Sequence, residues 1–521
     1  MKMKKTFTTI ALGAVVSFVL VSCKETTAVE VDSATAVVNT DECRGVFDGI
    51  GSSLTESSAY VLACLPEDVK NKILEDCFGE SGANFSMSRT HIGACDFSVE
   101  GKYSLAPIAD DTLMEYFSLK EDKVGFPKLR YPNIINEHYD LYNLMKDVAN
   151  LKNSQADNTF KMVACAWTPP AWMKDINDYY SREMRTGGRL LPQYYQAYAN
   201  YILKFIQAYD AEGFRMWAIS PANEPQGNDG SWESVHISPA EEAVLIGKHI
   251  GPTLENAGYS DVKILGFDQN VFEVAPYAAT IYGDSLANKY TSGMALHWYG
   301  STETPFPDVL DSLHSSYPDK AILHTEGCID NLGLPAWDGV RDPKGFKECC
   351  WFKNDAFWWY PNATDWAYST NFWTDLHPKY ASVHRYARFI IEGMNHYLTS
   401  FIDWNVVLDK DGGPNHVGNF TGAPVMVDLE TKEVYYTPIY YVLRLLSRNL
   451  RPGDKIVYVS QAEQFKDNVF ISAVEKSDGT YTVCVLNTLP DNVDIKVKLG
   501  GRLYEFTLNK NSVSVLKRLR K

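Results

Sequence analysis

The sequence lacks the short motifs by which many enzymes hold a cofactor. It contains no phosphate-binding loop and no glycine pattern of the Rossmann type. Its 10 cysteines show no CxxC spacing and no histidine partner at metal-ligand spacing. Tandem repeats and low-complexity tracts are also missing. We therefore expect a globular protein that works with no cofactor and no metal ion.

Basic residues are fewer than acidic residues in this sequence. The 49 lysines and arginines are outnumbered by 65 aspartates and glutamates, which leaves a net charge of −16 and a pI of about 5.2. Because an acidic surface repels phosphate backbones, nucleic acid is not an expected partner. Aromatic residues make up 13% of the chain, which suits a protein that stacks rings against a ligand, although large cores also use them.

The N-terminus has the form of a targeting segment. A basic MKMKK precedes an apolar stretch that ends at Leu20-Val21-Ser22-Cys23, which resembles a bacterial lipobox. By that resemblance residues 1–22 are a signal peptide, Cys23 is the lipidated first residue, and 23–40 is a tether. The expected location is the bacterial envelope, lipid-anchored to the outer membrane on its periplasmic or outer side, with the lipid as the only membrane contact. The alternative is a secreted protein with an ordinary cleavage site.

Eight short apolar runs end in polar residues, and helix-like stretches such as 192–213 and 238–258 lie between them. Eight apolar strands alternating with helices predict an α/β fold, a (β/α)8 TIM barrel. The runs are 46–57, 83–98, 160–172, 214–225, 262–270, 292–300, 320–327 and 400–408.

After about residue 430 the pattern changes to alternating strands with turn signals such as SDG and LGG. We therefore expect a barrel domain at 41–430 and an appended C-terminal β-sandwich at 431–521. Residues of about 35–48 are candidates for an additional strand of the β domain. The long segment between the seventh and eighth runs holds six of the 12 tryptophans, at positions 337, 351, 358, 359, 366 and 373.

Two of the apolar runs end in carboxylates, Glu224 in WAISPANEP and Glu326 in ILHTEG. These would close strands four and seven of a barrel, whose catalytic groups lie at the carboxyl ends of its strands. Two facing carboxylates are the minimum equipment for glycoside hydrolysis, one as the acid and the other as the nucleophile or base. His297 and His236 are expected to be pocket-wall or surface histidines rather than metal ligands.

The ordered motifs of the chain resemble glycoside hydrolase family 30, in the branch of glucosylceramidases and endo-β-1,6-glucanases. They are FDGIGSSLTES, SRTHIGACDFS, WTPPAWMK, WAISPANEP, LHWYG, LHTEGC, DWN and GGPNHVGNF. The chain departs from the family at GIGSS, where a glycine pair is common, and at Pro221-Ala222; neither change removes a catalytic group. The resemblance implies that Glu224 is the acid/base and Glu326 the nucleophile of a retaining enzyme.

The same resemblance implies seven substrate-binding residues. Asn223 would bond the sugar 2-hydroxyl, Arg89 would hold the carboxylates, and Asp96 would grip sugar hydroxyls. The others, Trp167, Tyr299, Trp404 and Asn419, would line the pocket.

The expected activity is hydrolysis of β-D-glucosidic bonds by double displacement, with β-1,6-glucan as the substrate of an endo-acting enzyme. The alternatives are a glucosylceramidase or exo-acting β-glucosidase or β-xylosidase of the same family, and a carbohydrate-binding lipoprotein without catalysis. A monomer is expected.

Overall fold

The computed structural model describes residues 34–301, 303–329 and 381–521. The predicted signal peptide, Cys23, the first part of the predicted tether and the six tryptophans between 337 and 373 therefore lie outside the described residues. No helix in the described ranges is both long and apolar enough to cross a bilayer.

A closed parallel barrel forms the larger part of the molecule, which confirms the predicted fold class. The first strand, β1 (Ala36–Val46), belongs to another sheet. The barrel strands are β2 (Gly49–Ser52), β3 (Met87–His91), β4 (Lys161–Cys165), β5 (Ala218–Ser220), β6 (Lys263–Asn270), β7 (Thr291–His297), β8 (Ala321–Glu326) and β9 (Ser400–Asp403). They lie in the order β8-β7-β6-β5-β4-β3-β2-β9. The ring closes where the Thr399 amide donates to the Ile322 carbonyl at 3.0 Å.

The barrel interior is filled by one layer of apolar side chains, as continuous apolar strands predict. The layer takes one buried residue from each of seven strands: Met87, Val163, Ala218, Leu265, Ala295, Leu323 and Ile402. The remaining strand, β2, contributes Gly51 to this region. A Cβ at Gly51 would lie 1.6 Å from the Met87 carbonyl oxygen, so a side chain there would push β2 and β3 apart.

Helices cover the barrel. They are Glu56–Ala63, Glu67–Phe78, Leu141–Asn153, Tyr195–Ala211, Pro239–Val244, Gly251–Asn256, Val274–Gly283, Ser285–Tyr290, Pro307–Ser316, Ala381–Asn395 and Pro438–Ser447. A π-helical turn, Leu245–Ile250, joins two of them, and short 3-10 turns occupy Glu121–Lys123, Ala171–Met173, Pro192–Tyr194, Val271–Glu273 and Glu463–Phe465.

The helix at Pro239–Val244 is capped by Ser238 and Glu241. The Ser238 side chain accepts the Glu241 amide, and the Glu241 carboxylate accepts the Ser238 amide at 2.8 Å. This capping box satisfies two backbone donors at a helix start.

The C-terminal strands form a second sheet over their own core. They are β13 (Lys455–Gln461), β14 (Val469–Glu475), β15 (Tyr481–Asn487), β16 (Val493–Leu499), β17 (Arg502–Leu508) and β18 (Ser512–Leu519), and β1 lies between β16 and β13. The two edge strands of this sheet approach each other, since the Tyr504 hydroxyl of β17 donates to the Arg520 carbonyl after β18 at 2.7 Å. A small sheet of β10 (Val407–Asp409), β11 (Val425–Asp428) and β12 (Glu433–Tyr436) lies beside the barrel.

The pattern of burial shows where the barrel and the β domain begin and end. Ala36 and Val38 are buried in the core of the β domain, so the last residues of the predicted tether already belong to β1. Ile439, Leu443 and Leu446 are buried in the barrel's core, so that core extends past the predicted boundary at residue 430 to the helix Pro438–Ser447.

Candidate active site

Glu224 and Glu326 face one cavity of about 330 Å³ at the carboxyl ends of the barrel strands. Glu326 is the last residue of β8, and Glu224 follows the end of β5. Glu224 has a φ of 46°, and its amide donates to the Asp268 carbonyl at 3.0 Å. A left-handed conformation in a non-glycine residue carries strain that the surrounding structure must hold, and such residues cluster at functional sites. Oxygens of the two carboxylates lie within 4.8 Å of each other and of His297 Nδ1.

Arg89 lies fully buried behind the two glutamates, on β3. Its Nη1 donates to Glu326 Oε2 at 2.5 Å, and its Nη2 donates to Asn223 Oδ1 at 2.7 Å and to Asp268 Oδ2 at 2.8 Å. Burial would lower the pKa of the guanidinium, but the neighbouring carboxylates raise it well above its usual value. Arg89 is therefore a fixed positive charge that orients Glu326.

Asp268, on β6, is the hub of the site, and sequence analysis did not single it out. It is fully buried and accepts bonds from Arg89, from His297 Nε2 at 3.0 Å, from the Thr325 hydroxyl at 2.6 Å and from the Cys165 thiol at 2.9 Å. Burial would raise its pKa, but Arg89 and His297 hold the pKa well below its usual range. Asp268 is therefore an ionised group around which the cationic side chains are arranged.

His297 joins Asp268 to the two glutamates. Its Nδ1 lies 3.2 Å from Glu224 Oε1 and 3.8 Å from Glu326 Oε1. Burial would lower the pKa of this imidazole, but the charge of Glu326 and the bonds to Asp268 and Glu224 raise the pKa to about 9. At neutral pH His297 is therefore an imidazolium that donates to Glu224 and to Asp268. The sequence predicts only a pocket-wall histidine, so this role is additional.

A β-bulge turns Asp268 toward the site. Phe267 and Asp268 have φ values of 76° and 56°, and the pairing with β7 shifts between Phe267 and Gln269. The Phe267 amide donates to Glu242 Oε1 at 2.8 Å. Glu242 is buried, and burial raises its pKa to about 8, so at neutral pH it serves as a neutral acceptor. The carboxyl group of Glu242 thus stabilises the bulge from outside the barrel.

The surroundings of Glu326 shift its pKa in opposite directions. Burial raises its pKa, as does the charge of Glu224, whereas His297 and Arg89 lower it, and the net direction is upward. The Tyr299 hydroxyl donates to Glu326 Oε1 at 3.0 Å. Together with the Arg89 bond to Oε2, this contact fixes the plane of the carboxylate.

Asp96 and two tryptophans close one end of the cavity. Trp167 and Trp404 stack with ring centroids 5.0 Å apart, and Asn419 Nδ2 donates to Asp96 Oδ2 at 2.9 Å. The other oxygen of Asp96 is buried without a hydrogen-bond partner among the described residues. Burial and the charge of Glu326 raise the pKa of Asp96 to about 8. A buried acceptor aimed at a polar cavity is suited to receiving a ligand hydroxyl.

The structure brings the predicted residues together. Eight of the nine line the cavity, namely Asp96, Trp167, Asn223, Glu224, Tyr299, Glu326, Trp404 and Asn419, while Arg89 lies behind them. The lining residues that sequence analysis missed are Gly227, Trp232, Gln269, Asn270, Cys328 and Thr421. Gln269, Asn270 and Cys328 lie within predicted runs or motifs, and the others follow a motif by a few positions, so proximity was the signal available for them.

One group of side chains in the described ranges has the geometry of a metal site. Glu224, His297 and Glu326 offer atoms within 4.8 Å of one another. However, an imidazole that carries protons on both nitrogens has no lone pair for a metal ion, and the pKa of His297 is raised to about 9. The constellation therefore fits proton transfer and charge stabilisation better than metal binding.

Comparison with known proteins agrees with this geometry. The Glycosyl hydrolase family 30 TIM-barrel domain matches residues 47–341 and 361–450. A "Putative glucosylceramidase 3" of Caenorhabditis elegans is 28% identical over 431 residues, which are 82% of this chain and 70% of that protein. Among solved structures, SrfJ from Salmonella typhimurium is similar with a TM-score of 0.77 and 23% identity over 96% of both chains. "The endo-beta1,6-glucanase BT3312" has a TM-score of 0.72 and 25% identity over 94% of both. The chain belongs to glycoside hydrolase family 30 and is a glycosyl hydrolase.

Proposed function

We propose that the enzyme hydrolyses β-D-glucosidic bonds with retention of configuration. The observation that carries this proposal is the approach of the Glu224 and Glu326 oxygens to within 4.8 Å. Retaining glycosidases place their carboxyl groups about 5–5.5 Å apart, whereas inverting enzymes leave about 6.5–9.5 Å for a water molecule. The short spacing favours direct attack by one carboxylate.

In the first step Glu326 attacks the anomeric carbon while Glu224 gives its proton to the leaving oxygen. The C–O bond to the leaving group breaks as the bond to Glu326 forms. In the second step Glu224 removes a proton from water, the water oxygen bonds to the anomeric carbon, and Glu326 leaves. Arg89 and Tyr299 hold the two oxygens of Glu326, and His297 supplies positive charge beside both carboxylates.

We propose β-1,6-glucan as the substrate, cleaved at internal bonds. The end of the cavity formed by Asp96, Asn419 and the stacked tryptophans suits a single sugar ring, because it combines hydroxyl acceptors with flat apolar faces. A solved relative that is 25% identical over almost the whole chain carries the name of an endo-β1,6-glucanase.

The second candidate is a glucosylceramidase or an exo-acting β-glucosidase or β-xylosidase. A curated relative bears the name of a putative glucosylceramidase. The cavity of about 330 Å³ is also at the lower end of the range of about 300–1,000 Å³ for ligand pockets, as a closed exo-type site would be.

A product profile separates the two candidates. The purified enzyme is incubated with linear β-1,6-glucan, an aryl β-glucoside and glucosylceramide, with Glu326→Gln as the control that should hydrolyse none. Short oligosaccharides from the glucan support endo action. Glucose released only from the aryl or lipid substrate would contradict the glucanase and favour the second candidate.

We further propose that Cys23 carries a lipid that anchors a monomeric enzyme to the outer membrane. The support is the LVSC sequence after a basic and apolar leader. Metabolic labelling with a fatty acid should mark the wild-type chain and not Cys23→Ser, which should leave the membrane fraction. Labelling of the variant would contradict the anchor.

Light scattering of the soluble part tests the proposed monomer and should give the mass of one chain. The mass of two chains would contradict the monomer.

A further inference from the structure

Residues 269–273, which we call the rim segment, follow Asp268 and lead from the cavity wall into the 3-10 turn Val271–Glu273. Gln269 and Asn270 line the cavity. Asn270 is fixed, because its Oδ1 accepts the Tyr299 amide at 3.0 Å. Since Glu224 protonates the leaving oxygen in the proposed reaction, the departing part of the substrate must lie near this side of the site.

Phe272, two residues beyond the cavity-lining Asn270 in the rim segment, exposes an apolar ring. Its side chain is 48% exposed, and its ring packs at 5.8 Å from that of Phe306. A Cβ at Gly300 would lie 2.3 Å from the Phe272 ring, so the ring rests directly on the backbone next to Tyr299. Phe272 therefore packs against Gly300 and Phe306, while about half of the residue is exposed.

Glu273 adds a hydroxyl acceptor to the same rim segment. It is only partly buried, and its carboxylate interacts with the Asn270 side chain. Burial and the negative charge of Glu224 raise the pKa of Glu273, which reflects its proximity to the acid/base. The rim segment thus combines an exposed aromatic ring with an amide and a carboxylate.

We propose that Asn270, Phe272 and Glu273 form a binding site for a sugar ring in the leaving group, an inference that rests on the hydrolase function proposed above. A pyranose has an apolar C–H face that can stack on Phe272 and hydroxyls that can bond to Asn270 and Glu273. A ceramide offers only its amide and 3-hydroxyl beside the glucosidic bond, and its hydrocarbon tails would desolvate the carboxylate and amide of this segment without bonding to them. The leaving group is therefore a saccharide.

The test compares Phe272→Leu with Phe272→Tyr. Leucine keeps an apolar side chain against Gly300 and Phe306 but removes the flat ring, whereas tyrosine keeps the ring. The substrates are β-1,3-, β-1,4- and β-1,6-linked glucotrioses, an aryl β-glucoside and glucosylceramide. Phe272→Leu should lower the ratio of kcat/KM for the cleaved glucotriose to that for the aryl glucoside by roughly three- to tenfold. Phe272→Tyr should restore the ratio, and Met184→Ala, another exposed apolar side chain, should leave it unchanged.

The outcomes separate this inference from the proposed function. An unchanged ratio in Phe272→Leu, on an enzyme that cleaves the β-1,6-linked trimer, would overturn the sugar site and leave the glucanase standing. A lowered ratio on a β-1,3- or β-1,4-linked trimer alone would support the site and contradict the β-1,6 specificity. A wild-type enzyme that cleaves only glucosylceramide and the aryl glucoside would overturn both.

Discussion

Replacing Asp268 with asparagine removes a negative charge that four side chains share. Oδ2 of Asp268 accepts from Arg89 and Cys165, and Oδ1 accepts from His297 and Thr325. An asparagine keeps one acceptor oxygen and must turn an NH2 group toward two donors. Arg89 would retain Glu326 and Asn223, but one of the charged bonds around position 268 would be lost.

The expected loss of activity follows from these contacts. A hydrogen bond to a charged group contributes about 1.5–3 kcal/mol and a neutral one about 0.5–1.5 kcal/mol, so the loss of one of each is expected to raise the barrier by about 2–4 kcal/mol. This corresponds to a decrease in kcat of roughly 30- to 1,000-fold. Breaking a buried ion pair should also lower the unfolding free energy by about 3–5 kcal/mol. Because Asp268 helps to raise the pKa of His297 to about 9, the imidazolium should be lost at lower pH in the variant.

The assay measures kcat and KM on an aryl β-glucoside from pH 4 to 9, with thermal unfolding measured in parallel. Asp268→Asn should lower kcat strongly and change KM by only a few-fold. Its kcat should also begin to fall at a lower alkaline pH than that of the wild type. Asp261→Asn, which alters an exposed carboxylate paired with Arg215, is the matched control and should behave as wild type. A kcat for Asp268→Asn above half the wild-type value throughout this range would refute the role assigned to Asp268.

Substitutions at three further positions give independent tests. The pKa of Asp96 is raised to about 8 in the fold, so the wild type loses stability as pH rises from about 4 to 8. Asp96→Asn should therefore gain in Tm over wild type from pH 5 to pH 8 while KM rises; a pH-independent Tm difference would contradict this. Glu242→Leu leaves the buried Phe267 amide unpaired, so it should lower the unfolding free energy by about 1–3 kcal/mol and also lower kcat. Glu242→Gln should restore both quantities. Equal behaviour of the two variants would exclude a role of Glu242 in holding the bulge. Ser238→Ala should lower the unfolding free energy by about 1 kcal/mol with kcat unchanged, and an unchanged midpoint in urea would show that the cap is dispensable.

The barrel and the facing of Glu224 and Glu326 across one cavity were predictable because both leave local traces in the sequence. Buried parallel strands appear as continuous apolar runs, and each of the eight predicted runs overlaps a barrel strand. Catalytic groups of a barrel follow the ends of its strands, which is where Glu224 and Glu326 stand in their motifs. These signals depend only on neighbouring residues.

Asp268 was missed because its orientation depends on a bulge. Regular alternation from Leu265, which lies inside the barrel, would point Phe267 inward and Asp268 outward. The extra residue reverses this order, so that Phe267 packs against Tyr277 of the covering helix at 4.9 Å and Asp268 faces Arg89. The available signal was an aspartate within an otherwise apolar run, and the helix residue Glu242 that stabilises the bulge is far away in sequence.

The limits of the two cores also depend on distant pairing. β1 joins β13 across more than 400 residues, and the helix Pro438–Ser447 returns to the barrel after the composition has begun to change. Local composition does not indicate which of the two cores such a segment packs into.

The most direct test of the central claim is the configuration of the first product. Hydrolysis of a β-linked glucoside is followed by proton NMR during the first minutes, before the released sugar equilibrates its anomers. With Glu326 as the nucleophile within 4.8 Å of Glu224, the β-anomer should appear first. Initial release of the α-anomer would show inversion and would contradict the proposed double displacement.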